Sequence, residues 1–378
     1  MIYRWLVVLF LLLPAKLLAQ LPEPGWLQNE RQAQLMQQGI ELYSCIATVN
    51  QWYMLPTDLQ LSPGDTNQYV PELQHNLLLT KDLQPDHTVP TTIYDSLIVR
   101  AAMKFQQRHG LKPNGFIGPK TIAELNVPPS QRLQLLRNNL QRWITTMSCT
   151  PKPAIVVNIP AFELYVADSN EVLLQMKVIT GKRKTPTYLN KTVLQSIVVN
   201  PTWNLPRSIA VHEIVPILRR NPNYLYKRNM RVYLDGRQVN PWRVNWKAVN
   251  SSNYSYQITQ LPGKQNELGE LKFLYDSKAD QYMHDTPKKE LFSYFPRDFS
   301  HGCIRLEKPY ELALYLLQHH NGNPEAKTKE LLSTWKPNHY LLVKKTMPLL
   351  ILYQTAWVDQ YGLVQFRGDV YGYEKLHL

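Results

Sequence analysis

Apolar positions recur at helical spacing through the first part of the chain and at strand spacing after Pro153. Over residues 26–56, Leu27, Leu35, Met36, Ile40, Leu42, Tyr43 and Ile46 form a stripe near helical period. The turn chemistry of Leu55-Pro56 and Ser62-Pro63-Gly64-Asp65 then ends it. In residues 66–127, Val70, Leu73 and Leu77 mark the face of one helix, and Leu97, Ala101 and Phe105 that of a second. Asn114-Gly115 favours positive φ in the turn between them and a third helix, which Gly118-Pro119 opens with proline in its first turn. Leu133, Leu136, Leu140 and Trp143 predict one more amphipathic helix over 130–147.

From residue 155 the pattern is one of β-branched runs cut by Pro, Gly and Asn, at 155–159, 164–167, 172–180 and 193–200. This predicts antiparallel β structure. Residues 204–265 interrupt it with Tyr224, Tyr226, Trp242, Trp246, Tyr254 and Tyr256 among Arg219, Arg220, Lys227, Arg228 and Arg231. About half of these aromatics are expected in a core, and the segment as a whole is read as a lid. Strands resume at 271–275 and 281–284, a loop is expected at 292–297, and a short strand or turn at 303–306. A helix should follow Pro309 over 310–319, with strands at 340–344, 350–357 and 363–371. The fold class read from this order is α+β, in more than one domain.

The 378 residues are 44% hydrophobic and 19% charged, which places the chain among globular proteins. A formal charge of +13 suits an acidic partner. The Lys and Arg residues are scattered and match no nucleic-acid-binding motif, so no nucleic-acid partner is expected. Residues 1–20 read as an export signal: Arg4 is the positive flank, residues 6–13 are an apolar run ended by Pro14, and Ala19 is a small residue for cleavage. If uncleaved, the segment would associate the protein with the inner membrane. Of three cysteines, Cys45 and Cys149 could pair in an oxidising compartment or remain buried thiols; Cys303 stands apart.

Cys303 carries the candidate chemistry. It lies in Ser300-His301-Gly302-Cys303-Ile304-Arg305, downstream of Met283-His284-Asp285. A thiolate attacks where a thiol does not, so a nucleophilic cysteine needs a neighbour that takes or holds off its proton. A strand, a loop and a return would bring His284 against Cys303. Gly302 would let substrate approach the backbone, and the Gly302 and Cys303 amides would form an oxyanion hole. A buried structural cysteine is the plainer alternative. A zinc site is disfavoured because no Cys-x-x-Cys or His-x-x-x-His pair is present, so no metal or other cofactor is expected. A papain-like order is reversed here, and no Gly-x-Ser-x-Gly elbow exists.

The His284 and Ser-His-Gly-Cys-Ile-Arg pattern closely resembles the signature of the L,D-transpeptidases, the YkuD-type cell-wall enzymes. The resemblance implies a mostly β catalytic domain, with Cys303 as nucleophile, His284 as base and the Asp285 carbonyl orienting the imidazole. Arg305 and His301 would support the site. Tyr282 and Trp203, the latter within Asn200-Pro201-Thr202-Trp203-Asn204-Leu205-Pro206, resemble pocket-wall positions of the large, YcbB-like branch, and Ser300 is placed with them as substrate-binding. That branch also has a capping insertion where 204–265 falls. Phe105-Gln106-Gln107-Arg108-His109-Gly110-Leu111 and Gly115-Phe116-Ile117-Gly118-Pro119-Lys120-Thr121 resemble a peptidoglycan-binding type 1 domain. The division implied is a signal at 1–20, a helical scaffold at 21–65, a wall-binding module at 66–127, a linking helix at 128–150, a catalytic domain at 151–348 and terminal strands at 349–378. The implied partner is the peptidoglycan stem peptide, acted on by a periplasmic monomer.

Overall fold

A computed structural model describes residues 29–49, 51–85, 89–147, 150–168 and 171–374. The expected export segment and Cys149 lie outside them. Helix α1 (Asn29–Val49) buries Met36, Ile40, Tyr43 and Ile46, but 51–56 leaves helical geometry. Leu55 instead joins the core of the next unit.

That unit holds α2 (Val70–Leu79), α3 (Ser96–Arg108) and α4 (Pro119–Leu125). Asp95 caps α3, its Oδ1 accepting the Leu97 and Ile98 amides at 2.8 and 3.0 Å. The buried face of α3 is Ile98, Ala101, Ala102 and Phe105, so Leu97 yields its expected core place to Ile98. Helix α5 (Pro129–Met147) packs beside α1.

The unit is bolted to the rest of the chain. The buried Arg108 guanidinium pairs with buried Asp82, Nε to Oδ1 at 2.7 Å and Nη2 to Oδ2 at 2.5 Å, and Nη1 donates to the Val364 carbonyl at 3.2 Å. His109 stacks on Phe105 and on Phe366, with ring centroids 3.8 and 5.3 Å apart.

Among the described residues fourteen strands follow. The first four are β1 (Ala154–Asn158), β2 (Glu163–Asp168), β3 (Glu171–Ile179) and β4 (Asn190–Val199). The insertion contributes β5 (Trp203–Asn204), β6 (Met230–Leu234), β7 (Arg237–Val239) and β8 (Tyr256–Gln260). Then come β9 (Leu271–Tyr275), β10 (Met283–His284), β11 (Ile304–Leu306) and β12 (His339–Leu352). A last pair, β13 (Ala356–Val358) and β14 (Val364–Phe366), forms its own hairpin.

Eight strands close a barrel in the order β1-β12-β4-β9-β10-β11-β3-β2. Most pairs are antiparallel, as expected, but β1–β12 and β10–β11 are parallel. For β10–β11 the cause is the connection: the chain crosses over through a short 3-10 turn, Lys289–Ser293, instead of a hairpin. Ile155, Val157, Leu164, Phe273, Met283 and Ile304 fill the interior core. Met36, Tyr43, Leu136 and Trp143 of the two long helices cover Val156, Tyr165 and Leu350 on the outside.

Strand β12 is continuous through the expected boundary at 348/349, with a bulge between Leu342 and Met347. Its far end stops before the expected residue 357. There Asn158 takes both backbone groups of Gln354, at 3.0 and 3.1 Å, and Asn139 takes the Thr355 amide at 2.9 Å. Side chains replace the ladder at that point.

The insertion folds on itself as a sheet in the order β5-β8-β6-β7. Its core includes Val215, Leu218, Leu225, Trp246 and Ile258. Tyr254 is also buried, while Tyr226 and Trp242 are exposed.

Candidate active site

Side chains alternate faces along a strand. Met283 and Ile304 point into the barrel, so Tyr282 and His284 on one strand, and Cys303 and Arg305 on its neighbour, point out. The parallel register sets His284 opposite Arg305, and the antiparallel register on the other side sets it opposite Lys272. A row Lys272–His284–Arg305 therefore crosses three strands. Tyr282 stands beside Cys303 in the adjoining row, and the Ile304 amide donates to the Tyr282 carbonyl at 3.0 Å.

The Tyr282 backbone N–H and hydroxyl both draw the Cys303 thiol toward the thiolate. Burial pushes the thiol pKa up, and this outweighs the pull of Tyr282, Lys272 and Arg305 toward the thiolate. Trp203 in turn acts on the Tyr282 hydroxyl, against the rise that burial gives it. Trp203, Tyr282 and Cys303 thus form a chain of contacts. The Lys272 ammonium lies 3.8 Å from the centroid of the Tyr282 ring, and His284 meets the same ring edge-on at 5.7 Å.

His284 is buried, and its Nδ1 lies 2.5 Å from the Asp285 carbonyl oxygen. A carbonyl only accepts, so Nδ1 carries the proton of the neutral ring and Nε2 keeps the basic lone pair. Burial, followed by the charge of Arg305 and then of Lys272 and Lys289, holds the imidazole pKa down to about 3, against the opposing effect of the Asp285 bond. Asp285 itself is fixed three ways: its amide donates to the Leu271 carbonyl at 2.8 Å, Oδ2 accepts the Glu270 amide at 3.0 Å, and Oδ1 pairs with Lys289 at 2.5 Å. Gly269, at φ +60°, makes room for it, since a Cβ there would sit 2.1 Å from Asp285 Oδ2.

Two expectations are corrected. Ser300, expected to touch substrate, is 2% exposed, and its hydroxyl donates to the Cys303 carbonyl at 2.6 Å. The same oxygen accepts the Gly302 amide at 3.0 Å. Ser300 therefore shapes the Cys303 loop, and the Gly302 N–H expected in the oxyanion hole is already engaged. Gly302 has φ +118°, and a Cβ there would meet Gln281 Nε2 at 2.5 Å. His301 turns outward to pair with Glu213 of the insertion, Nε2 to Oε1 at 2.6 Å. Arg305 Nε is buried without a hydrogen-bond partner.

Residues 152–329 match the YkuD family, described as the L,D-transpeptidase catalytic domain. This domain is a YkuD domain. Residues 66–125 match a family described as "Putative peptidoglycan binding domain". A curated protein of Haemophilus influenzae named "Putative L,D-transpeptidase" is 32% identical over 225 residues, which is 58% of this chain. The match spans 44% of that protein, less than half its length. Among solved structures, an L,D-transpeptidase from Stackebrandtia nassauensis is 12% identical with a TM-score of 0.28, over 77% of this chain and 94% of that one. One from Mycobacterium smegmatis is 15% identical with a TM-score of 0.24, over 53% and 58%. At those scores neither superposition carries an argument about this chain.

Within the YkuD domain, sequence reasoning overlooked Lys272, Thr187 and Gln281. Thr187 Oγ1 donates to the Gly302 carbonyl at 2.7 Å, and Gln281 Nε2 donates to the Pro186 carbonyl at 2.9 Å. Only Lys272 left a signal. Alternation between buried Leu271 and Phe273 puts it on the outer face, but its neighbour is set by register.

Proposed function

We propose that this protein is a periplasmic L,D-transpeptidase acting on peptidoglycan stem peptides. The observation that carries the reading is the common face holding Tyr282, His284, Cys303 and Arg305, within a YkuD domain. His284 Nε2 takes the thiol proton, and the sulfur attacks the carbonyl between the third residue of a donor stem and its terminal D-Ala. The C–N bond breaks, the proton passes to the leaving amine, and a thioester remains on Cys303. A side-chain amine of a second stem then attacks the thioester, giving a 3→3 cross-link and regenerating the thiol. Water in place of the amine would make the protein a carboxypeptidase, and an amine on a wall protein would make it an anchoring enzyme.

We assign 151–348 to the chemistry, with the insertion at 204–265 as a lid, and 66–127 to wall attachment. The export reading of residues 1–20 fits this compartment. Among the described residues no helix is long and apolar enough to cross a membrane. The alternative of another class is a wall-binding protein with an inert barrel.

Incubation with a carbapenem, followed by intact mass, separates the classes. A one-to-one adduct is expected on the native chain and none on Cys303→Ala. D-Ala release from a tetrapeptide donor should fall by several orders of magnitude in the same variant. Undiminished release by Cys303→Ala would sink the proposal.

A further inference from the structure

Lys272 stands out as a cation without an acid. It is half-buried on β9, directly across from His284, with its ammonium over the Tyr282 ring. Among the described residues no ion pair is formed by Lys272, and the acidic group that acts on it is Cys303. Removing an ammonium from water without a counter-charge is costly. The ring offsets only part of that cost.

The groups facing Cys303 can be sorted. From β9 come Lys272 and Tyr275, from β10 Tyr282 and His284, and on its own strand Arg305. Tyr275 and Tyr282 are neutral, with burial raising both phenols. His284 lies between Lys272 and Arg305, two cations that oppose a third positive charge. After burial, the charge that acts most on Arg305 is that of Glu267, ahead of Cys303. Glu267 is shared with Arg228 and with Lys288, the latter at 2.9 Å. Among the described residues that leaves Lys272 as the cation whose acidic neighbour is Cys303 alone.

We infer that Lys272 is the counter-charge of the Cys303 thiolate, a positioning residue that holds the charge of the sulfur across the Tyr282 ring while His284 moves the proton as a neutral base. A lysine held this way stabilises the thiolate before substrate arrives and disfavours a protonated His284 beside it. The inference rests on Cys303 being the nucleophile, but its test does not need turnover.

The test is the pH dependence of Cys303 alkylation by iodoacetamide, read by peptide mass in the full chain. Exposed Cys45 serves as the internal control. In Lys272→Met the midpoint for Cys303 should rise by about one pH unit, slowing alkylation at neutral pH about tenfold, with Cys45 unmoved. Lys272→Arg should restore most of the shift. An unchanged midpoint in folded Lys272→Met would overturn the inference, as would Lys272→Arg behaving like Lys272→Met. If Lys272→Met does not fold, Lys272→Gln keeps a polar head without the charge and is read the same way. A shifted midpoint with undiminished D-Ala release by Cys303→Ala would sustain the role of Lys272 and sink the transpeptidase reading instead.

Discussion

The Tyr371 hydroxyl donates to the Gly181 carbonyl at 2.9 Å and accepts the Thr187 amide at 3.1 Å. Thr187 then holds the Gly302 carbonyl through its own hydroxyl. A tyrosine outside the matched family region thus braces the loop that carries Cys303. Tyr371→Phe should keep the fold, lower stability by about 1–2 kcal/mol through unpaired partners, and slow carbapenem acylation several-fold. Thermal melting and timed intact mass would check it; an unaffected acylation rate would make the brace structural only.

His284 and His301 should differ sharply. His284→Gln removes the proposed base and should slow acylation by about 10²–10⁴. His301→Gln breaks a half-exposed pair with Glu213 and should change it little. Equal losses would mean that the base is wrongly assigned.

Acid should destabilise the protein in a defined window. The folded-state pKa of His284, about 3, lies below its ordinary value of 6.5, so the unfolded chain binds the proton first. The stabilisation is complete above the unfolded value and is lost as pH falls from there toward the folded one. Its full extent is on the order of 5 kcal/mol. Buried His109, depressed by burial and then by Arg108 and Arg132, acts in the same direction. Urea midpoints measured against pH should therefore fall less steeply in His284→Gln than in the native chain. Parallel curves would contradict the depressed value.

Arg108→Met should cost about 3–5 kcal/mol, because it leaves buried Asp82 without a counter-charge. Adding Asp82→Leu should recover a large part of the loss. Denaturant titration of the two variants decides it, and additive losses would argue against the pair as the bolt.

Deleting the insertion, with Trp203 kept in place to hold Tyr282, should raise hydrolysis relative to amine capture of the thioester. Product analysis with a tetrapeptide donor and an amine acceptor would show it. Unchanged partitioning in a folded variant would remove the lid from the mechanism.

Local signals were strong where local chemistry decides. Gly118-Pro119 marks a helix start that the structure reproduces, and β9 falls at 271–275 as its apolar-rich run predicts. Cys303 and His284 were legible as a motif. What escaped was pairing: the parallel join of β10 to β11 sets His284 beside Arg305, and no periodicity encodes which strands meet. Ser300 and Gly302 were misread for a related reason. Their roles depend on a hydrogen bond closed within the loop, and that depends on φ +118° at Gly302.

The barrel closes through its two shortest strands, Met283–His284 and Ile304–Leu306, whereas β12 spans 14 residues. Opening free energy is uneven across a fold and is lowest where few backbone bonds must break together. The seam that carries His284 and Arg305 is therefore the part of the cylinder that breathes most readily. Amide hydrogens there will exchange ahead of those in β12, and a covalent adduct on Cys303 that bridges the seam will slow them, like a rivet across a joint.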